Sequence, residues 1–207
     1  MVCAPWGQEY LCAHRSLRKL GDLISASGHH VMRFDYFGTG DSAGDLREAK
    51  LEDWRSDIGL ALEELREASG IDRASLVGLR LGASLAAEVA SRSASGIDGL
   101  MLWDPVVSGQ AYLRSLEKIA SGMEVDGFEL TEAMAADIRR IDLQPLVSRL
   151  PARTAVMTTV QDSLSQLEGM PASRQYIEDV CAWQQDRQLG AGAIPVRALN
   201  HIVEWLR

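Results

Sequence analysis

The chain has 207 residues, of which 46% are hydrophobic and 24% charged, and its formal net charge is −8. This length suits a single domain, residues 1–207, with one sizeable core, and the composition is that of an ordinary globular protein. No apolar run reaches the length of a membrane span, and the 21 Lys and Arg residues are scattered and do not form the basic stripe that nucleic-acid binding needs. We therefore expect neither a membrane span nor a nucleic-acid partner.

The three cysteines, Cys3, Cys12 and Cys181, are an odd number and have neither metal-ligand nor C-x-x-C spacing. Because no signal peptide precedes them, reduced thiols in a cytoplasmic protein are the simplest interpretation, and we expect no metal and no cofactor. The opening residues, Met1–Ala4, resemble the end of a strand. This predicts that the first strands of the fold are missing.

The first half of the chain alternates between helix and strand patterns. A loop over Pro5–Tyr10 precedes a helix with leucines at helical spacing, which ends at Gly28. A short β-rich strand over His30–Asp35 leads into a glycine-rich loop, and a second helix begins near Leu51 and ends at Gly70. The alternation predicts parallel strands joined by right-handed crossovers.

The most informative stretch is Gly78–Gly82, because an apolar strand runs into it and a helix of small residues leaves it. In a nucleophile elbow of the G-x-S-x-G type, two glycines allow a strained turn that exposes the middle residue at the top of a parallel sheet. Gly78 and Gly82 are the elbow glycines here, but the middle residue is Arg80. A guanidinium has no acceptor and cannot attack a carbonyl, so this position holds a group that is not a nucleophile.

A buried strand after the elbow ends at Asp104–Pro105, and residues 106–150 then show mostly helical patterns. We interpret 106–150 as a helical cap inserted into the fold. The alternation resumes with a strand over Thr154–Val160, a helix over Ala172–Arg187 and a last strand over Ile194–Leu199. The predicted fold class is α/β, with a doubly wound, mostly parallel sheet and a helical cap.

The candidate site lies beyond the carboxyl ends of the strands, where parallel sheets bind their ligands. The chain order of elbow, acid and histidine is that of a hydrolase triad. His201, directly after the last predicted strand, is the candidate base, Asp162 is the candidate acid, and Asp104 is its rival one strand earlier. An oxyanion hole would use backbone N–H groups in the loop after the first strand. The substrate-binding candidates are Trp6, Gly7, Arg80 and Leu81.

Three interpretations of Arg80 are open. A cation at the positive end of the following helix needs an anionic neighbour, and if Asp104 or Asp162 is that neighbour, the ion pair is structural and the site is a former hydrolase. If the guanidinium faces the pocket, it can bind a carboxylate or phosphate by bidentate hydrogen bonds, or stabilise an oxyanion. In the third interpretation, hydrolysis uses another nucleophile: Ser84, Ser108, Cys3 or a water molecule activated by His201.

Three segments carry a resemblance to a known group: Phe34–Ser42, Val77–Ala83 and Leu102–Gly109. Together they resemble the exosortase A system-associated hydrolase 2 group of the α/β-hydrolase superfamily, near the serine aminopeptidase-like hydrolases, and Pro5–Glu9 fits the opening loop of that group. The likeness runs from about residue 2 to residue 142. The resemblance implies an α/β-hydrolase fold and an evolutionary origin among hydrolases. It also implies that arginine at the elbow is usual in this group. The protein would then be cytoplasmic and encoded near genes for bacterial exopolysaccharide synthesis.

Two functions remain as hypotheses. The first is hydrolysis of a small ester, thioester or amide, with His201 as base, Asp162 orienting it, and Arg80 binding or polarising an anionic group. The second is a non-catalytic binding or scaffold protein, a pseudoenzyme, that holds an anionic ligand or a biosynthetic partner in the same pocket.

Overall fold

The computed structural model describes residues 1–92, 96–121, 124–161, 163, 167–170, 173–186 and 192–207. Within these residues the strands are β1 (Val2–Cys3), β2 (Ala74–Leu79), β3 (Ile97–Trp103), β4 (Ala120–Ser121), β5 (Glu124–Val125), β6 (Phe128–Glu129), β7 (Arg153–Thr158) and β8 (Ser173–Tyr176). The helices are α1 (Gly7–Ala26), α2 (Leu51–Ser69), α3 (Leu81–Arg92), α4 (Gly109–Glu117), α5 (Glu132–Arg139) and α6 (Val196–Leu206), with a 3₁₀ helix at Gln144–Arg149. Among the described strands, five form a parallel sheet in the order β1-β2-β3-β7-β8.

Strand β1 lies between two parallel neighbours that follow it in the chain. Val2 of β1 pairs with Val77 of β2 on one side and forms a parallel bridge to Arg33 on the other. The chain therefore passes outward from β1 to Arg33 and then back across β1 to β2. Because crossovers between parallel strands are right-handed, this reversal places α1 on one face of the sheet and α2 and α3 on the other. The doubly wound sheet is confirmed, and its switch point lies between β1 and β2.

The helices follow the predicted amphipathic spacing. In α2, Trp54, Ile58, Leu62 and Leu65 form a buried stripe, and the helix ends where predicted because Gly70 adopts a φ of 69°, which glycine tolerates without strain. Helix α2 packs on α3, and α1 packs on α6. Among the described residues, no helix combines the length and the apolar character needed to cross a bilayer.

The central strands are apolar along most of their length because helices cover both faces of the sheet. Leu79 of β2 lies opposite Trp103 of β3, and both side chains, like that of Leu100, are at most 1% exposed. This packed layer fixes the carboxyl ends of β2 and β3 side by side. The residues that follow them, Arg80 and Asp104, are therefore neighbours.

The predicted cap, 106–150, is only partly helical. It contains α4, α5 and the 3₁₀ helix, but β4, β5 and β6 pair as a small antiparallel sheet. The turn between β5 and β6 is made by Asp126 and Gly127, whose φ angles are 49° and 86°, and such left-handed pairs suit tight hairpins. The helical pattern was therefore right for α4 and α5 and missed this sheet.

Two expectations near the start of the chain are wrong. The expected loop over Pro5–Tyr10 is helical from Gly7 onward, with Trp6 in extended conformation at the N-cap of α1. The strand expected over His30–Asp35 is reduced to the single bridge at Arg33.

Two expectations near the end are also wrong. In place of a helix over 172–187, Ser173–Tyr176 is a strand, and the described residues 177–186 contain no helix. The last strand, expected over 194–199, is replaced by α6, in which Leu199, Ile202 and Val203 are buried at helical spacing.

Candidate functional site

The turn from β2 into α3 has the geometry of an elbow. Arg80 sits between the two elements with a φ of 54°, an unusual value for a residue with a side chain. A Cβ atom on Gly78 would lie 2.4 Å from the Cα of Ala83, and one on Gly82 would lie 2.2 Å from the carbonyl oxygen of Ala4. Both positions therefore require glycine, because the backbone approaches them too closely for any side chain.

The side chain of Arg80 pairs with Glu9, in the first turn of α1. The Nε of Arg80 donates to the Oε1 of Glu9 at 3.0 Å, and the two side chains are only 15% and 13% exposed. The other carboxylate oxygen of Glu9 accepts a hydrogen bond from the hydroxyl of Tyr112 at 3.2 Å. Asp104 contacts the guanidinium only through its backbone carbonyl, at 3.2 Å. Of the two carboxylates considered as the partner of Arg80, that of Asp104 therefore makes no ion pair with it, and Asp162 lies outside the described residues.

Two aromatic rings enclose the Arg80 guanidinium. Its central carbon lies 3.9 Å from the ring centre of Trp183 and 5.4 Å from that of Tyr112. Such contacts attract a cation to the ring faces, more strongly where water is excluded. The guanidinium is thus held in one place by Glu9, Trp183 and Tyr112.

This arrangement leaves part of the guanidinium unused. In the described part of the chain it donates two hydrogen bonds, one to Glu9 and one to Asp104, so three of its five N–H groups lack a protein acceptor. The indole N–H of Trp6 is also buried and has no partner among the described residues. Buried donors normally have partners, and unused ones favour a ligand that offers acceptor oxygens.

Burial controls the protonation of this cluster. It raises the pKa of Glu9 above its usual range, although the attraction of Arg80 and the hydrogen bonds from Arg80 and Tyr112 oppose the shift. For Arg80, burial disfavours the cation, but Glu9, Tyr112 and Asp104 together outweigh it and raise the guanidinium pKa. Burial and the carboxylate of Glu9 also hold the pKa of Tyr112 well above its usual range. Arg80 is therefore a permanent cation, and Tyr112 is a permanent donor.

The carboxylate of Asp104 is fully engaged inside the protein. Its Oδ1 accepts hydrogen bonds from the hydroxyl of Thr158 and the backbone N–H of Thr159, both at 2.8 Å. Its Oδ2 accepts from the hydroxyl of Thr159 at 2.7 Å and from the indole N–H of Trp183 at 3.0 Å. With 4% of its surface exposed, Asp104 joins β3 to the end of β7 and anchors Trp183.

A cavity of about 460 Å³ adjoins the Arg80–Glu9 pair. Both residues of the pair line it, as does Trp6, and its apolar lining includes Val106, Leu116 and Val125. The cavity thus offers polar donors together with an apolar surface. A ligand that fits it would combine an acceptor group with an organic body.

The structure brings together only part of the predicted site. Trp6 and Arg80 line the cavity, whereas Gly7, Leu81, Asp104 and His201 are not among its lining residues. Gly7 is the first residue of α1, Leu81 is fully buried at the start of α3, and His201 lies within α6 and not after a strand. Asp162 lies outside the described residues.

Sequence reasoning missed Glu9, Tyr112 and Trp183. Glu9 was the one with an available signal, because an elbow cation needs an anionic partner and Glu9 follows the first strand at the same edge of the sheet. Tyr112 and Trp183 lie 32 and 103 positions beyond Arg80, and no local pattern connects them to it.

The comparison with protein families gives a match across nearly the whole chain. The family model for serine aminopeptidase, S33, covers residues 13–205, from α1 through the elbow to α6. The chain belongs to the serine aminopeptidase (S33) family. It is therefore a member of the α/β-hydrolase superfamily with arginine where the elbow nucleophile of a serine hydrolase would stand.

Solved structures share the fold of this S33 family member at low sequence identity. A structure from work on the metagenome-derived lipolytic enzymes LipS and LipT is 16% identical, with a TM-score of 0.69 over 100% of this chain and 91% of that chain. Est1E from Butyrivibrio proteoclasticus, solved with ferulic acid, is 15% identical, with a TM-score of 0.71 over 99% and 86% of the two chains. These similarities show the α/β-hydrolase fold.

Curated relatives match this S33 family member over a shorter stretch. The mitochondrial palmitoyl-protein thioesterase ABHD10 of Bos taurus is 40% identical over 61 residues, which are 30% of this chain and 19% of the bovine protein. The rat protein of the same name matches to the same extent. The aligned segment is thus about a fifth of the length of these relatives.

Proposed function

We propose that this S33 family member is a non-catalytic binding protein, which holds a small anionic organic ligand in the cavity beside Arg80. The observation that carries the proposal is the Arg80 guanidinium at the elbow, with three N–H groups that lack a protein acceptor in the described residues. A carboxylate or phosphate is a suitable acceptor for the planar guanidinium, because two of its oxygens can accept parallel hydrogen bonds from neighbouring N–H groups. The apolar lining of the same cavity, which includes Val106 and Leu116, suits the organic part of such a ligand.

The groups around the elbow also favour binding over hydrolysis. Arg80 supplies no nucleophile, and the Asp104 carboxylate accepts four hydrogen bonds and stays within the protein. His201, the predicted base, lies in α6 and is not among the residues that line the cavity. General base catalysis needs the base within hydrogen-bond reach of the proton that it removes. The described residues of the cavity therefore offer recognition and lack the predicted base.

Binding can be measured by titration calorimetry with three probes of equal chain length: hexanoate, hexyl phosphate and uncharged hexanol. Hexanoate or hexyl phosphate should bind, and hexanol should not. Arg80→Gln should weaken anion binding by about tenfold or more, the effect expected for loss of a charge-assisted hydrogen bond. Equal affinity of wild type and Arg80→Gln, or binding of hexanol alone, would overturn the proposal.

Arg55 provides a matched control for this experiment. It pairs with Glu88 at 2.7 Å, and the two side chains are 13% and 12% exposed, much as in the Arg80–Glu9 pair. Arg55 is not among the residues that line the cavity. Arg55→Gln should therefore cost stability comparable to that lost in Arg80→Gln, while anion affinity stays at the wild-type value.

The second candidate is hydrolysis of a small ester, thioester or amide by His201 and Asp162, and membership of the S33 family favours it. A panel of activated esters and acyl thioesters separates it from the first. Turnover that His201→Ala abolishes would support the hydrolase and contradict a non-catalytic role. Labelling of the wild-type chain by a fluorophosphonate would reveal a serine nucleophile elsewhere. The exopolysaccharide setting and the cytoplasmic location remain predictions of the family resemblance.

A further inference from the structure

The Arg80–Glu9 pair is electrically neutral before any ligand arrives. Its two side chains are 15% and 13% exposed, so both charges lie largely out of water. An anionic ligand at Arg80 would bring a third charge into this space and leave a net negative charge there. Unbalanced charge in a buried site is costly, and titratable groups usually neutralise to avoid it.

We propose that a ligand carboxylate binds Arg80 beside Glu9 and replaces Glu9 as the counter-ion of the guanidinium, and that Glu9 takes up one proton from solution in the same event. The inference rests on the proposed anion-binding function and names its ligand class as a monocarboxylate. No covalent bond beyond the new O–H of Glu9 changes: the ligand arrives with one negative charge, Glu9 gains one proton, and the group formed by Arg80, Glu9 and the ligand carboxylate is again neutral.

The geometry restricts how the exchange can occur. The guanidinium of Arg80 is held between Trp183 and Tyr112, at 3.9 Å and 5.4 Å from their ring centres. The cation therefore stays in place, and the ligand must approach it. Because Glu9 occupies the Nε edge, a carboxylate on the remaining N–H groups would share one guanidinium with Glu9. Two carboxylates on one site cannot both remain ionised at little cost, and the pKa of one of them rises.

Glu9 is the better proton acceptor of the two carboxylates. Burial already raises its pKa, and the Asp104 carboxylate contributes in the same direction. After protonation, Glu9 still accepts the hydrogen bond from Tyr112 through one oxygen, while its new O–H can donate to the ligand. The ligand carboxylate keeps its charge against Arg80, where the pairing is strongest.

The other titratable groups near the pair are poor acceptors for this proton. Tyr112 and Cys12 are already protonated, because burial raises the pKa of both. Cys181, beyond Thr159, is also protonated for the same reason. The Asp104 oxygens are occupied by four donors, and Asp126, on the β5–β6 turn, is exposed to water.

Proton uptake by Glu9 predicts different affinities for a monocarboxylate and a phosphate monoester, both of which could bind to Arg80. A monocarboxylate needs one proton to restore neutrality, and Glu9 supplies that capacity. A phosphate monoester is largely dianionic near pH 7, as its second pKa is about 6, so one proton at Glu9 would leave the site negative. The site should therefore prefer hexanoate to hexyl phosphate.

The test is titration calorimetry of hexanoate between about pH 6 and pH 8, repeated in two buffers that differ in ionisation enthalpy. Wild-type protein should take up close to one proton per hexanoate, and its affinity should fall by up to about tenfold for each unit of rising pH. Glu9→Gln keeps an acceptor for Arg80 and Tyr112 but cannot titrate. It should bind hexanoate without proton uptake, with a flat pH profile, and more tightly than wild type at pH 8.

Controls make the outcomes distinct. Glu88→Gln removes the charge of the matched pair with Arg55 and should behave as wild type does. Tyr112→Phe removes a hydrogen bond to the Glu9 carboxylate, so proton uptake should persist to higher pH. Hexanoate binding without proton uptake, or a pH profile unchanged in Glu9→Gln, would overturn the exchange and leave anion binding standing. Binding of hexyl phosphate without hexanoate would overturn the exchange alone, and no binding of either anion at any pH would overturn both proposals.

Discussion

The ring of Trp183 lies 3.9 Å from the guanidinium carbon of Arg80. The same indole donates its N–H to the buried carboxylate of Asp104 at 3.0 Å. One side chain thus links the elbow cation to the buried acid at the end of the neighbouring strand. The position of Arg80 therefore depends on Asp104 through the orientation of Trp183.

Trp183→Phe should keep a ring beside Arg80 and lose the hydrogen bond to Asp104. Hydrogen bonds to charged groups contribute about 1.5–3 kcal/mol, so the free energy of unfolding should fall by about that amount in urea titrations. Trp205→Phe is the control, because Trp205 also packs on an arginine, Arg153, at 4.5 Å. Equal losses in the two variants would show that the bond to Asp104 contributes nothing.

Gly82→Ala tests how tightly the elbow is packed. The added methyl would lie 2.2 Å from the carbonyl oxygen of Ala4, and overpacking against the backbone should cost about 3 kcal/mol or prevent folding. The control is Gly59→Ala in α2, where the methyl would meet nothing within 4 Å and should stabilise the helix by about 0.5–1 kcal/mol. Thermal unfolding of both variants measures the contrast, and a stable Gly82→Ala protein would contradict it.

Glu9 should make stability depend on pH in a defined direction. Burial raises its pKa in the folded protein above the reference value of 4.5, so the folded state binds the proton more tightly than the unfolded state. The contribution of Glu9 to the free energy of unfolding is then fully present below pH 4.5 and is lost as pH rises through the raised pKa. Urea titrations of wild type and Glu9→Gln should differ by an amount that falls with rising pH, whereas an opposite slope would mean that Arg80 dominates.

Introducing serine at the elbow should not create a serine hydrolase. Arg80→Ser alone leaves Glu9 buried without its cation, at a cost of about 3–5 kcal/mol, so the informative protein is Arg80→Ser combined with Glu9→Gln. With His201 in α6 and outside the cavity lining, the introduced hydroxyl lacks a base to activate it. We expect no ester turnover and no labelling by a fluorophosphonate. Rapid labelling of the introduced serine would show that a base reaches the elbow.

Helix α2 and the elbow could be predicted because their signals are local. The stripe in α2 repeats at helical spacing, Gly70 marks its end, and Gly78 and Gly82 bracket a turn that few other residues allow. Each of these features depends on neighbours within a few positions in the chain. The spacing of apolar residues in these segments matches either a helix or a strand but not both, so it predicts the type of secondary structure.

The last two elements could not be predicted because their short-range signals conflicted. Ile194–Val196 contains β-branched residues, which favour a strand, but Pro195 precedes a helix whose buried side chains are spaced for the core. The strand at Ser173–Tyr176 has mostly exposed, polar residues, and it exists because β7 offers it a partner. In both places tertiary packing decided against local propensity.

The partner of Arg80 was outside the reach of sequence patterns for a related reason. Glu9 and Arg80 are 71 positions apart and meet because β1 and β2 are adjacent and parallel. The sequence indicated that an anion must be present, but Asp104 and Asp162 were equally plausible candidates. The adjacency of β1 and β2 is what brings Glu9 to Arg80.

The Arg80–Glu9 pair also constrains how this elbow can evolve. A substitution that removes Arg80 alone leaves Glu9 buried without its cation, at a cost of about 3–5 kcal/mol, which is a large share of the stability of a typical domain. A lineage that carries both residues can therefore lose Arg80 only after position 9 has changed or by passing through a weakened intermediate. Once established, the pair is entrenched, and it would persist even in descendants that no longer need the ligand.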